Sequence, residues 1–564
     1  MSPAWNRHSP AGRELSISMV WSFAIAAGER FFCSRMGVKD WAKAIEQERA
    51  RASESFLSCM GARVANPMGN REIFGFVRRF FAGSLSCMTR IQVRAAGFLG
   101  LACVVSVVPV MAQNSLPAAT ASGVDTAAAE VLKSTGVPSA SVAVVQGGKV
   151  AYVKAYGLAR LDPPIAAEPG MQYSIGSVSK RFIAAVILLL QQDGKLKLDD
   201  PVGKYLPELT RANEVTIRQV LSMTSGYQDF WPEDYVMTSM MKSTTPQQIL
   251  DGWGKKPLDF EPGTQWQYSN TNYVIAGRIA EIAGGKPLIE QLQERIFKPL
   301  KMTGVFNSDA SRLPANDPTG YYQHALGPLR AAPKEGQGWM FAAGELAMPA
   351  SDLALWNISL MDRTLLAPNS YDEMFTEVKL KDSKGTGYGL GVEVGVRNGH
   401  RYIEHSGEVS GFVSENIVFP EDKAAVTVLT NEDASRAAGA LGQKIAPLVL
   451  GGGGSGMAAA SGEAAAAEKR ALDIFTGLQE GKLDRSQLTA FCDAYFTAEA
   501  VQDFASSLKP LGTPTSFKQT SEGKRGGMTF RAFSVVFPGK QLRVTVYEMP
   551  DGKLEQYLVM PAGS

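Results

Sequence analysis

Runs of strand-forming residues lie near both ends of the central part of the chain, with helical patterns between them. Ser139–Val145 and Lys149–Val153 flank a Gly-Gly pair and predict a β-hairpin. Phe412–Phe419 and Ala425–Thr430 flank a Pro-Glu-Asp turn and predict two more strands. The apolar run Arg181–Leu190 predicts a buried helix. We therefore expect an α+β fold: an antiparallel sheet formed from both ends of the domain, flanked by helices, with a helical subdomain.

The alternation of predicted strands and helices ends near residue 450, where a Gly-rich stretch begins. We expect a domain over 115–450, a Gly/Ala-rich linker over 451–465 and a small α+β domain over 466–564. An Ala-rich helix is predicted near Glu463–Gln479. Two more helices and three strands are predicted after it, over Leu488–Phe496, Glu499–Leu508, Met528–Phe537, Leu542–Tyr547 and Leu554–Met560. Their layout resembles cystatin-like or NTF2-like modules. We expect an accessory role for it, in structure or in binding a ligand or partner.

A second feature lies well before the predicted domains. Met88 begins a short basic segment, an apolar run follows, and Val110-Met111-Ala112 offers a cleavage site. This pattern predicts a signal peptide over 88–112, export to the periplasm or medium, and no stable membrane span after cleavage. Residues 1–87 are then interpreted as non-native upstream sequence or as a disordered extension.

Composition narrows the classes of function. Residues 1–112 carry 14 Lys and Arg against 7 Asp and Glu, whereas residues 113–564 carry 43 against 48. The mildly acidic balance of the longer part gives no reason to expect a nucleic-acid partner. Only Cys492 follows residue 113, and no His- or Cys-based zinc motif is present, so we expect neither an internal disulfide there nor a metal.

The candidate chemistry starts at the sequence Ser177-Val178-Ser179-Lys180, an S-x-x-K motif directly before the apolar helix. Residues three apart lie on the same helix face, so the Lys180 amine can take the Ser177 proton. The Ser177 N–H lies at the helix N-terminus, where developing negative charge is stabilised. The pattern predicts a nucleophilic serine with a lysine base.

Three further segments with recognisable motifs follow Ser177–Lys180 along the chain. Val215–Gly226 is followed by a Tyr268-x-Asn270 motif, and a His405-Ser406-Gly407 motif follows later. With S-x-x-K, this set resembles the serine β-lactamase and penicillin-binding-protein superfamily, and within it the class C-like branch that includes esterases and D-aminopeptidases. The resemblance covers about residues 115 to 450.

The resemblance implies a role for each motif. Tyr268 would act as a second base or proton relay, and Asn270 would hydrogen-bond Lys180 and the acyl amide of the substrate. His405, Ser406 and Gly407 would occupy the strand where many relatives carry K-T-G. The N–H groups of Ser177 and Glu408 are the candidate oxyanion donors.

Two residues depart from the family pattern. His405 stands where many relatives have a lysine, and histidine is mostly neutral at pH 7, so affinity for a substrate carboxylate should be lower. Glu408 stands where relatives often have glycine, and its charge would favour neutral or cationic substrates.

The sequence thus predicts an exported serine hydrolase that cleaves an ester or amide of a small molecule or peptide through a Ser177 acyl-enzyme, without cofactor or metal. One alternative is a β-lactamase or DD-carboxypeptidase acting on β-lactams or peptidoglycan. The other is a weakly acylating or inactive ligand-binding or sensor protein.

Overall fold

A computed structural model describes residues 116–451 and 464–563. The predicted extension over 1–87, the predicted signal peptide over 88–112 and most of the predicted linker over 451–465 lie outside the described residues. No helix of the described residues is long and apolar enough to span a membrane.

A seven-stranded sheet organises the larger part of the fold, in the strand order β3-β2-β1-β12-β11-β10-β9. These strands are β1 Ser139–Gln146, β2 Lys149–Leu161, β3 Pro164–Ala166, β9 Glu393–Arg397, β10 His400–Val409, β11 Phe412–Phe419 and β12 Ala424–Thr430. The shorter strands are β4 Tyr173–Ser174, β5 Phe306–Asn307, β6 Tyr321–Tyr322, β7 Arg330–Ala331 and β8 Leu346–Met348. They form a three-stranded sheet, β4-β8-β5, and a β6-β7 pair.

The centre of the large sheet joins the two ends of this part of the chain. Strand β1 pairs antiparallel with β12, with Ala140 opposite Thr430 and Val145 opposite Ala425. All seven residues of β12 are buried, as are the first seven of β1, because helices cover both faces of the sheet. This arrangement confirms the predicted α+β fold with an antiparallel sheet built from both ends.

The helices of this part are α1 Ala118–Thr135, α2 Lys180–Gln192, α3 Ile217–Leu221, α4 Pro246–Ile249, α5 Asn270–Gly284, α6 Leu288–Leu292, α7 Ala350–Asp362, α8 Pro368–Phe375 and α9 Ala437–Leu450. Helices α1 and α9 pack on one face of the sheet and share an apolar cluster with β1 and β12. Helix α7 packs on the other face, where the larger cluster also includes α2 and α5.

Helix α2 is the buried helix that the apolar run predicted. Every residue from Lys180 to Leu190 is buried, because the helix lies within the larger cluster and packs against α5. Ser177 itself lies just before it, in a 3₁₀ turn over Gly176–Ser179. We expected Ser177 to open the α-helix, but the chain takes the tighter winding that is common at helix termini.

The C-terminal part is a small sheet domain, as predicted, which we call the C-terminal module. Its elements are α10 Ala464–Gln479, α11 Ala490–Tyr495, α12 Ala498–Leu508, β13 Ser516–Arg525, β14 Met528–Phe537, β15 Lys540–Glu548 and β16 Leu554–Pro561. The four strands form one antiparallel sheet in chain order. Strand β13 was not predicted, because only Phe517 and Gln519 of its ten residues are buried and its sequence is mostly polar.

Candidate active site

Ser177 and Lys180 form the centre of the site. Lys180 Nζ donates a hydrogen bond of 2.8 Å to Ser177 Oγ. In a 3₁₀ turn, side chains three residues apart eclipse one another, which brings the amine directly against the hydroxyl. Ser177 is partly exposed, whereas Lys180 is fully buried. The pair therefore combines an accessible hydroxyl with an amine shielded from water.

Two more acceptors hold the Lys180 amine. Its Nζ donates to Asn270 Oδ1 at 2.8 Å and to the Ala343 carbonyl at 2.7 Å. Burial lowers the pKa of Lys180 well below its ordinary value; the Asp229 carboxylate opposes this effect and the Arg525 guanidinium adds to it. A lysine in this environment can be neutral near pH 7, which is the form that acts as a base.

Tyr268 is a second titratable side chain in contact with Ser177. Its hydroxyl makes a side-chain hydrogen bond with Ser177, and its ring centroid lies 5.1 Å from Lys180 Nζ. Burial raises the pKa of Tyr268 above its ordinary value, and the hydrogen bond with Ser177 opposes that effect. The phenol is therefore protonated at neutral pH and can donate a proton to a leaving group.

Two glycines let the Ser177 turn approach strand β10 closely. A Cβ on Gly407 would lie 2.0 Å from the Ile175 carbonyl oxygen and 2.8 Å from Ser177 N. Gly176 has φ +50°, and a Cβ there would lie 2.7 Å from Glu408 N. The backbones that carry the N–H groups of Ser177 and Glu408 are thus in contact, as two donors to one oxyanion require.

His405 faces the cleft but is held by its neighbours. Its Nδ1 lies 2.5 Å from the Ser406 carbonyl oxygen, which can only accept, so the ring proton sits on Nδ1 and Nε2 accepts from Tyr388 Oη at 2.9 Å. The ring is 2% exposed, and burial, with Lys180 and Arg181 nearby, lowers the pKa of His405 to about 3. His405 is neutral at working pH and supplies no cation for a carboxylate.

The Glu408 side chain turns away from the Ser177 turn. Its Oε1 accepts a 2.6 Å hydrogen bond from Ala434 N. Burial, with the Asp234 and Asp433 carboxyls nearby, raises the pKa of Glu408 well above its ordinary value. The charged form of Glu408 is therefore disfavoured, and the negative charge that we expected beside Ser177 is weaker than the sequence implied.

The cleft itself is a cavity of about 330 Å³. Besides Ser177, Tyr268, Asn270 and His405, it is lined by Ser406, Gly407 and Glu408. Lys180 does not line the cavity but contacts Ser177 and Asn270, so the structure brings together every predicted site residue. The carboxyl groups that line it are those of Glu233, Asp234, Glu393, Glu408 and Asp433. Among the described lining residues, Arg525 is the one arginine or lysine that faces them.

Three residues of the site were missed from the sequence. Asp229 Oδ1 accepts from Asn270 N at 2.9 Å, Tyr388 holds His405, and Arg525 reaches the cleft from the C-terminal module. No motif marks Asp229 or Tyr388. Arg525 precedes the Gly526-Gly527 pair, a turn pattern that would have predicted a hairpin tip but not its position in the cleft.

A buried carboxyl behind the cleft wall provides a stability test. Glu432 is 2% exposed, and burial raises its pKa to about 8, with Asp433 adding to the effect. A carboxyl whose folded pKa is raised stabilises the fold while protonated, below its unfolded pKa of about 4.5, and this contribution is lost as pH rises through about 8. Glu432→Gln should therefore be more stable than wild type at pH 9 by on the order of 2 kcal/mol, and the difference should shrink at pH 5.

Chemical denaturation at both pH values measures this difference. Glu168→Gln, at an exposed position, is the matched control and should follow the wild-type curve. A constant difference between Glu432→Gln and wild type across the range would show that Glu432 does not titrate as described.

Comparison with known proteins agrees with this geometry. A family model described as Beta-lactamase matches residues 124–449. Protein flp of Staphylococcus aureus (strain COL) is 28% identical over 320 residues, which cover 55% of this chain and 62% of that protein. The match with this curated relative thus spans less than two thirds of its length.

Solved structures show the same similarity. A D-stereospecific amidohydrolase from Streptomyces sp. is 27% identical with a TM-score of 0.51, over 58% of this chain and 97% of that chain. An octameric penicillin-binding protein homologue from Pyrococcus abyssi is 20% identical with a TM-score of 0.53, over 78% of this chain and 99% of that chain, and shows a shared fold. The chain therefore belongs to the β-lactamase family, within the superfamily of serine β-lactamases and penicillin-binding proteins.

Proposed function

We propose that this protein is an exported hydrolase that cleaves an ester or amide bond of a small molecule or peptide through an acyl-enzyme on Ser177. The observation that carries the proposal is the 2.8 Å hydrogen bond from the buried Lys180 amine to a partly exposed Ser177 hydroxyl at the wall of a cavity. A serine hydroxyl needs such a base within hydrogen-bond reach to act as a nucleophile.

The first half of the reaction follows from these contacts. A neutral Lys180 amine has two protons, which it donates to Asn270 Oδ1 and the Ala343 carbonyl, and a lone pair that accepts from the Ser177 hydroxyl. Lys180 then takes that proton as Oγ attacks the substrate carbonyl. The negative charge that develops on the carbonyl oxygen is held by the N–H groups of Ser177 and Glu408, next to the N-terminus of α2. Asn270 keeps the amine in place by accepting one of its hydrogen bonds.

Tyr268 completes the cycle. Its phenol donates a proton to the leaving nitrogen or oxygen, and the Lys180 ammonium returns that proton, so both groups regain their starting states. Water then attacks the Ser177 ester by the same route in reverse and releases the acid. Because Lys180 must be neutral and Tyr268 protonated, kcat/KM should rise through a low Lys180 pKa and stay high through neutral pH.

The charges of the cleft define the substrate class. Burial raises the pKa of four of the five carboxyl groups that line it, those of Glu233, Glu393, Glu408 and Asp433, so their negative charge is reduced near neutral pH. The imidazole is neutral and the Arg525 charge is already paired with Asp229 and Asp234, so the described lining residues offer no free cation to a substrate carboxylate. We infer a substrate whose acyl part is neutral or carries an ammonium group, such as an amino-acid amide. The likeness to a D-stereospecific amidohydrolase supports an amide of this kind.

A pair of activated esters tests this inference. The p-nitrophenyl ester of a neutral short-chain acid should be cleaved with a kcat/KM at least about 10-fold higher than that of the matched half-ester bearing a free carboxylate, because desolvating a carboxylate without a cationic partner costs more than the ~1.4 kcal/mol that gives this factor. Initial rates at pH 7 with intact-mass detection of the acyl adduct measure both turnover and mechanism.

A chromogenic cephalosporin and a D-alanine p-nitroanilide extend the test to two competing classes. Fast hydrolysis of the cephalosporin, which carries a carboxylate, would favour a β-lactamase or DD-carboxypeptidase instead. Wild-type protein that neither turns over any of these substrates nor forms an adduct would contradict the hydrolase proposal in favour of a ligand-binding protein.

A further inference from the structure

The hairpin between β13 and β14 of the C-terminal module reaches into the cleft. Strand β13 ends at Arg525, and Gly526 and Gly527 turn the chain with φ +57° and +76°. The tip packs against the loop over residues 229–235, which lines the cleft and is called the cleft loop below, since a Cβ on Gly526 would lie 3.1 Å from Pro232 Cβ. Arg525 thus lines the same cavity as Ser177, although it belongs to a different sheet.

The Arg525 guanidinium is fully engaged on the cleft wall. Its Nε donates to Asp229 Oδ2 at 3.3 Å, and its Nη2 donates to the Trp231 carbonyl at 3.2 Å. Its carbon lies 5.2 Å from the Tyr268 ring centroid, within cation–π range. The side chain is 23% exposed, so these interactions are partly shielded from water.

The same two acceptors also hold Asn270. Asp229 Oδ1 accepts from Asn270 N at 2.9 Å, and the Trp231 carbonyl accepts from Asn270 Nδ2 at 3.0 Å. Asn270 in turn accepts from Lys180. A continuous set of hydrogen bonds therefore joins Arg525 to the Lys180 amine and, through it, to the Ser177 hydroxyl.

Arg525 also offsets the effect of the Asp229 carboxylate on the protonation of Lys180. The Asp229 side chain is fully buried and favours the protonated form of Lys180, whereas Arg525 favours the neutral form. Without the guanidinium, Asp229 would be a buried carboxylate facing the amine without a cationic partner.

Other residues of the C-terminal module form hydrogen bonds with the cleft loop. Asp234 N donates to Gln556 Oε1, and Gln556 Nε2 donates to Asp234 Oδ2, both at 2.8 Å. Tyr235 Oη donates to the Glu555 carbonyl at 2.9 Å. These contacts fix the position of the hairpin tip relative to the loop that holds Asn270.

We propose that the C-terminal module completes the active site, with Arg525 as a positioning residue that holds Asp229, Trp231 and Asn270 and so keeps the Lys180 base in place. This proposal rests on the proposed function of Ser177 and Lys180. It assigns to the module a part in catalysis rather than a separate accessory role.

The test compares Arg525→Met with Arg531→Met. Arg531 lies on the neighbouring strand and pairs with Glu548 and Glu522 inside the module, away from the cleft. Arg525→Met should lower kcat/KM for the neutral p-nitrophenyl ester by about 10- to 100-fold, the usual cost of a displaced catalytic group. The acidic limb of the kcat/KM–pH profile of Arg525→Met should move to higher pH, because Asp229 then favours the protonated form of Lys180.

Two further variants separate charge from folding. Arg525→Lys keeps the cation and should move the acidic limb less than Arg525→Met. The double variant Arg525→Met, Asp229→Asn removes both charges and should return the acidic limb toward its wild-type position. Thermal unfolding of every variant, and the rate of adduct formation by intact mass, report folding and acylation separately.

The outcomes are distinct. A shifted acidic limb in Arg525→Met with a wild-type limb in Arg531→Met supports the positioning role. Unchanged rate and pH profile in Arg525→Met, or equal losses in both methionine variants, would overturn it. Wild-type protein without turnover or adduct would instead overturn the proposed function of Ser177, on which this role depends.

Discussion

Ser177→Ala is expected to abolish ester turnover and the acyl adduct together. The hydroxyl that accepts from Lys180 Nζ is the group proposed to attack the carbonyl, and alanine has no atom that can replace it. Loss of a nucleophile that acts with its base as a unit lowers kcat by at least about 10⁴-fold. The fold should be retained, because Ser177 Oγ is partly exposed and makes its contacts inside the cleft.

Ser179→Ala is the matched control for this variant. Ser179 lies in the same 3₁₀ turn, but its hydroxyl accepts from Leu346 N at 3.2 Å and does not contact the amine. It should lose about 1 kcal/mol of stability and keep the adduct. An adduct of undiminished yield on Ser177→Ala would show that another residue is the nucleophile.

Lys180→Met is expected to have the second largest effect, a loss of about 10²- to 10⁴-fold in kcat/KM. The change in stability should be small, because the removed cost of burying the amine offsets the hydrogen bonds lost at Asn270 and Ala343. The methionine side chain has a similar length and suits a site that is fully buried, so the cost of burying the amine disappears while the Ser177 hydroxyl remains. The remaining activity should no longer rise through the low Lys180 pKa.

A pH profile and a denaturation curve measure the two parts of this prediction. Lys149→Met, at an exposed position of the β1–β2 hairpin, controls for the loss of a lysine. A Lys180→Met variant with wild-type activity would exclude Lys180 as the base and leave Tyr268 as the candidate.

The parts of the site that could be predicted are those that are close in sequence or marked by a motif. Ser177 and Lys180 are three residues apart, so helix geometry alone placed them together. The Tyr268-x-Asn270 motif and His405 are far from Ser177 and from each other in the sequence, and only the resemblance to a family connected them before the structure was known. Their distances and protonation states depend on tertiary burial, which no local pattern contains.

Arg525 shows what sequence patterns miss. It lies 296 residues from its partner Asp229, at the end of a strand whose mostly polar sequence gave no strand prediction. Glu408 shows the converse: its position beside Gly407 was evident, but the direction of its side chain, toward Ala434 N, was not. The fold itself was predictable, because strand and helix patterns at both ends of the domain are strong and agree with one another.

The pairing of β1 with β12 also has a consequence for how the molecule is made. These strands are about 290 residues apart, as in the match of Ala140 with Thr430. Contacts of such high sequence separation form late, because closing a long loop costs entropy before any contact rewards it. During synthesis the central sheet cannot close until Thr430 has left the ribosome. The Glu408 N–H lies on β10, which joins β12 through β11, so the proposed oxyanion site is complete only when this sheet has formed. Recovery of acylation in a refolding experiment should therefore follow closure of the central sheet.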